Sequence, residues 1–128
     1  MKVLVCGGRD YNKTSMVFFV LDSLRPRPTQ IISGNARGAD KLGEMWAQQN
    51  NVSCRVFPAN WDKYGKRAGY LRNQQMLDEG IPDLVIAFPG GNGTKMMMSI
   101  SEAADVKVIS VTDELLSKII AKQTAENT

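Results

Sequence analysis

The chain contains no histidine. That excludes Ser-His-Asp and Cys-His catalysis, and it excludes metal sites built on imidazole. Cysteine is scarce as well. Cys6 and Cys54 are too few, without histidine, for a structural zinc site. Both fall in apolar, strand-like runs, where buried free thiols of a reducing compartment are expected. No apolar run approaches the ~20 residues of a membrane span. Met1-Lys2-Val3-Leu4-Val5 is too short before Gly7 to serve as a secretion signal, so a cytoplasmic location is expected. Neither sign of charge dominates: 16 Lys and Arg stand against 13 Asp and Glu, a net +3. This favours an anionic ligand but is far from the basicity of a protein that coats nucleic acid. Internal repeats and low-complexity segments are absent. So are two common phosphate-binding signatures, the P-loop Gly-Lys-Ser/Thr and an in-phase Gly-x-Gly-x-x-Gly.

What the chain does contain is organised around Phe88-Pro89-Gly90-Gly91-Asn92-Gly93-Thr94. This stretch follows the apolar run Leu84-Val85-Ile86-Ala87 and leads into Lys95 to Ala104, which predicts strand, glycine-rich turn and helix. Glycines let a backbone approach a ligand with no Cβ in the way. A helix starting there directs unpaired N–H groups and the positive end of its dipole at the turn, an arrangement suited to phosphate. The competing reading is a tight turn whose glycines serve only strand-to-helix packing.

The rest of the chain alternates strand and helix. Lys2 to Cys6 reads as a buried parallel strand ending at Gly7-Gly8-Arg9-Asp10. A helix capped by Asn12 or Thr14 carries Met16, Val17, Phe19, Val20, Leu21 and Leu24 and stops at Arg25-Pro26-Arg27-Pro28. Thr29 to Ser33 is the second strand, ending at a second glycine-rich turn, Gly34 to Asp40. A helix follows to about Gln49, with Trp46 in the core, and Val52 to Phe57 is the third strand. Pro58 to Gly69 mixes Trp61, Tyr64, Lys63, Lys66 and Arg67 without periodicity and reads as a long loop, either functional or anchored by its tryptophan. From Ala68 a helix is expected with Leu71, Met76 and Leu77 inward and Arg72 and Asn73 near its first turns. Asp83 to Ala87 is the fourth strand. Met96, Met97 and Met98 read as adaptable core filler. Val106 to Val111 is the fifth strand, and Thr112-Asp113-Glu114 opens a last helix. Residues 1–122 form the expected domain, with 123–128 as a flexible tail.

Near-continuous apolar strands alternating with helices predict an α/β fold, a single Rossmann-like, doubly wound parallel sheet ordered 3-2-1-4-5 with helices on both faces. Ligands of such sheets sit at the strands' carboxyl ends, where strand order reverses. That point lies between strands one and four. Three turns converge there: Gly7-Gly8-Arg9-Asp10, Ser33-Gly34 with Gly38 and Asp40, and Pro89 to Thr94.

Several segments occur in an order that resembles the YspA-like branch of the SLOG superfamily. They are Val5-Cys6-Gly7-Gly8-Arg9-Asp10, Gly38-Ala39-Asp40 with Trp46-Ala47, Trp61 with Tyr64-Gly65-Lys66, Ala68-Gly69 with Arg72-Asn73, and Phe88 with Gly90-Gly91-x-Gly93-Thr94. The resemblance spans about residues 2 to 111. It implies a Rossmann-like domain, with likeness to Lonely Guy phosphoribohydrolases, DprA and molybdenum-cofactor carrier proteins. It also implies a nucleotide-like ligand with phosphate at Gly91, Gly93 and Thr94. In one respect this chain departs from the pattern. Lonely Guy enzymes carry an acid in the turn after their Pro-Gly-Gly-x-Gly-Thr, where this chain has Lys95, Met96, Met97 and Met98. Glu102, the next acid, lies roughly 12 Å further along the helix at about 1.5 Å per residue. Cleavage of an N-glycosidic bond would want a carboxylate near the anomeric carbon, by analogy with glycosidases. Asp10 and Asp40 are the remaining candidates, Asp40 being read rather as a capping or ribose-binding carboxylate.

Three functions compete. The first is a module that holds a nucleotide-derived ligand, as sensor or sequestering protein. The second is a phosphoribohydrolase or related N-glycosidase, with Asp10 or Asp40 as the acid and Arg9 and Arg72 on phosphate. The third, DprA-like nucleic-acid binding, is disfavoured by the low net charge and the lack of a basic run. The expected ligand-binding residues are Gly7, Gly8, Arg9, Ser33, Gly34, Gly38, Arg72, Asn73, Gly90, Gly91, Gly93 and Thr94. Trp61 and Tyr64 are candidates to cover a base. No cofactor, metal or membrane partner is expected; dimerisation is common in the resembling families, but nothing in the sequence fixes a homo-oligomer interface.

Overall fold

The computed structural model describes residues 1–126. Five strands form one parallel sheet in the order β3-β2-β1-β4-β5. They are β1 (Lys2–Cys6), β2 (Gln30–Ser33), β3 (Ser53–Val56), β4 (Leu84–Ala87) and β5 (Lys107–Ser110). The helices are α1 (Thr14–Ser23), α2 (Ala39–Gln49), the short α3 (Trp61–Tyr64), α4 (Ala68–Gln75), α5 (Asn92–Ala103) and α6 (Asp113–Glu126). Of the expected tail, residues 127 and 128 lie outside the described residues.

Alternation along the central strands explains the two-sided burial. On β1, Val3 and Val5 join a core with Leu21, Ile31, Trp46, Ile86 and Phe88. Leu4 and Cys6 point the other way, into a core with Ile32, Met76, Val85 and Met97. Successive side chains of a strand face opposite sides, so a strand buried on both faces must be apolar throughout. Trp46 sits in the first core as expected, its indole N–H donating to Asp22 Oδ1 at 2.8 Å. Truncating so large a buried ring costs about 3–5 kcal/mol.

The structure corrects the sequence reading at four places. All four residues of β3 are exposed, so Cys54 is an exposed thiol, not a buried one. An apolar run predicts burial only where elements cover both faces, and β3 lies at the sheet edge. Leu71 is exposed, because it lies about 200° round α4 from the buried Asn73 at 100° per residue. The stretch Pro58 to Gly69 is not an irregular loop. Asn60 accepts the Lys63 N–H at 3.1 Å and caps α3, and a 3₁₀ turn, Gly65–Arg67, continues into α4. Finally, no side chain caps α1, which begins after Lys13. Thr112 does cap α6, accepting the Leu115 N–H at 3.1 Å. Among the described residues no helix is long and apolar enough to cross a membrane.

Candidate functional site

The carboxyl ends of β1 and β4 open into a cavity of about 400 Å³, at the reversal of strand order. Its walls come from four places: Cys6 at the end of β1 with Gly7 to Arg9 beyond it, Ala36 and Asp40 before and within α2, residues from Trp61 to Met76 across α3, α4 and the turn that follows, and Gly91 to Met97 at the start of α5.

The three turns are fastened to one another by their backbones. The Gly8 N–H donates to the Pro89 carbonyl at 2.9 Å, and the Gly8 carbonyl accepts the Ala39 N–H at 3.2 Å. This close approach requires glycine at several positions, most tightly at Gly38 and Gly90. Gly38 has φ +84°, and a Cβ there would run into the Gly8 carbonyl. A Cβ on Gly90 would collide with the Thr94 hydroxyl and the Gly8 nitrogen. Gly91 and Gly93 differ, because a Cβ on either would meet nothing within 4 Å. Packing accounts for the first pair and leaves the second unexplained.

Gly91 precedes a 12-residue helix with no side-chain cap and no acid in its first turn. The N–H groups of that turn have no intrahelical acceptor, and the dipole favours negative charge there. Asn73, only 6% exposed, holds this turn in place. It donates to the Gly93 carbonyl at 3.2 Å and accepts from Arg72 Nε at 3.1 Å. Arg72 also donates to the Gly34 carbonyl at 2.5 Å, so its guanidinium is held in a fixed orientation. Arg9 lies 5.2 Å from the centre of the Trp61 ring, a cation–π contact.

Among the described residues Asp40 is the one carboxylate of the cavity lining, and it is 6% exposed. Burial raises its pKa to about 6, although the Ala36 N–H, which it accepts at 3.2 Å, opposes the shift together with Arg72 and Arg9. Burial lowers the Arg72 pKa, against the attraction of Asp40. Cys6 also lines the cavity, and burial, reinforced by Asp40, pushes its thiol far up. It stays protonated and is no nucleophile.

Gly7, Gly8, Arg9, Asp40, Arg72, Asn73, Gly91, Gly93 and Thr94 therefore meet at one cavity. Asp10 lies outside it, exposed and 3.3 Å from Arg37. Ser33 is also elsewhere; its hydroxyl donates to Glu44 at 2.7 Å and accepts the Asn35 N–H at 3.1 Å, shaping the turn after β2. Gly34 lines an adjoining cleft, while Gly38 and Gly90 set the backbone without lining the cavity. Trp61 lines it and Tyr64 does not. Sequence reasoning missed Lys66 as a lining cation and Tyr70 as a lining ring. Tyr70 follows Gly69 at the start of α4, and its position there was the one available signal. Among the described residues no group of three or more His, Cys, Asp or Glu side chains gathers as for a metal.

A five-stranded parallel sheet, doubly wound, with a cavity at its switch point defines a Rossmann-like α/β domain. The family model described as "YspA, cpYpsA-related SLOG family" matches residues 1–64. The Gene 61 protein of Mycobacterium phage D29 is 34% identical over 123 residues, covering 88% of this chain and 98% of that protein. The chain belongs to the YspA, cpYpsA-related SLOG family. Membership supports a nucleotide-related function in broad terms.

Proposed function

We propose that this chain binds a nucleotide-derived small molecule and seats its phosphate on the first turn of α5. The observation that carries the reading is the open space in front of Gly91 and Gly93, at an uncapped helix N-terminus, inside a cavity that also holds Arg9, Lys66 and Arg72. Backbone N–H groups and guanidinium forks are the usual partners of phosphate. Trp61 and Tyr70 supply apolar rings at the same cavity, suited to a base. The test is a thermal-shift series of the full chain with adenosine 5′-monophosphate, followed by chromatography of the ligand. Stabilisation with intact recovery supports a binding module. At a ligand concentration of 100 Kd the gain is about 2.7 kcal/mol. No shift with this or other 5′-mononucleotides overturns the reading.

One observation favours a second reading, cleavage of the N-glycosidic bond. Asp40 is a buried carboxylate facing the cavity, with a pKa raised to about 6, in the range where an acid can donate and accept protons near neutrality. Under this reading free base appears in the chromatogram, and Asp40→Asn abolishes its release while binding persists.

A further inference from the structure

We propose that the site is bipartite and selects nucleotides carrying a second phosphoryl group beyond the one seated on α5; this rests on the nucleotide reading above. A second cleft of about 370 Å³ adjoins the first. Arg9, Ala36, Trp61 and Arg72 line both, so the two spaces meet across the Arg9–Trp61 stack.

Among the described residues the second cleft is lined by three arginines, Arg9, Arg37 and Arg72, and by no carboxylate. Three guanidinium groups around one small space repel one another and favour an anion between them. Their planar forks match phosphoryl oxygens in pairs. Arg37 is engaged by Asp10, but that pair is 74% and 93% exposed, and such pairs contribute little, so the guanidinium is recruited at small cost. Arg72 already donates to the Gly34 carbonyl at the cleft wall. Two of the three cations serve both spaces, so groups bound in each would share them. The second group can sit on the same ribose, as in a nucleoside bisphosphate, or follow a pyrophosphate bridge.

Calorimetric titration of the full chain separates these cases with three probes: adenosine 5′-monophosphate, adenosine 3′,5′-bisphosphate and ADP-ribose. At least one two-phosphate compound should bind about tenfold more tightly than the monophosphate, the scale of one added charge-assisted contact. Whichever gains identifies how the second group is joined. Arg37→Gln, at an exposed position, should remove most of that gain and change the monophosphate affinity less than twofold, with an unaltered circular-dichroism melt. Equal affinities for all three compounds, or an equal loss for all three in Arg37→Gln, overturns the bipartite site and leaves the nucleotide reading standing. Binding of none of them overturns both.

Discussion

The side-chain amide of Asn73 donates to the carbonyl of Gly93 at 3.2 Å, and this contact ties α4 to the first turn of α5. The same side chain accepts from Arg72. One buried residue thus aligns the helix terminus and the guanidinium that flank the cavity. Asn73→Ala should destabilise the fold by about 1–3 kcal/mol, because it leaves buried groups unpaired. Mononucleotide affinity should fall further than stability explains. Urea denaturation alongside calorimetry at a temperature where the variant is fully folded checks both.

The glycines of the three turns divide into two kinds, and substitution separates them. Gly38→Ala forces a Cβ into a positive φ and against the Gly8 carbonyl. The expected loss is at least about 2 kcal/mol. Gly93→Ala meets open space within a helix and adopts no positive φ. Its stability should hold or rise by up to about 1 kcal/mol, while binding of adenosine 5′-monophosphate weakens at least tenfold. Unchanged binding in Gly93→Ala would return that glycine to a purely local role.

The raised pKa of Asp40 has a consequence for stability. The folded state holds the Asp40 proton more tightly than the unfolded chain does, with a pKa of about 6 against 3.8. Between pH 4 and 6 the native state therefore binds more protons, and this group's contribution to stability rises as pH falls. Above pH 6 the buried charge costs on the order of 2–3 kcal/mol. Asp40→Asn keeps an acceptor for the Ala36 N–H and carries no charge. It should be more stable than the parent at pH 8 and lose the Asp40 part of the slope between pH 4 and 6, as read by denaturant midpoints.

The thiols should react in sequence. Cys54 is exposed, yet partial desolvation, assisted by Glu44, holds its pKa up at about 11. Alkylation by iodoacetamide should be slow at pH 7.5, quicken at pH 9 and stop at one label per native chain, counted by mass spectrometry. Cys6 should accept a label only after unfolding, because it is buried with a strongly raised pKa.

The order of the strands and long helices and the sheet topology were legible in the sequence, and the reason is physical. Val3 to Cys6 and Leu84 to Ala87 are apolar at every position because a central parallel strand is covered on both faces. Right-handed crossovers then leave few arrangements for alternating strands and helices. The site's backbone was legible for a similar reason, since glycine clusters at strand ends announce close approach. Tertiary structure alone decided what each residue in those turns does. Asp10 and Asp40 look alike in sequence, each beside a glycine-rich turn. The first projects into water beside Arg37, while the second is enclosed beneath Arg72 and Ala36, where desolvation rather than sequence context governs its charge. Gly38 and Gly91 likewise differ in backbone conformation, φ +84° against −99°, and in what stands opposite them, a carbonyl in one case and open space in the other. Local patterning specifies which elements form; burial, charge and empty volume at the site arise only when segments far apart in sequence meet.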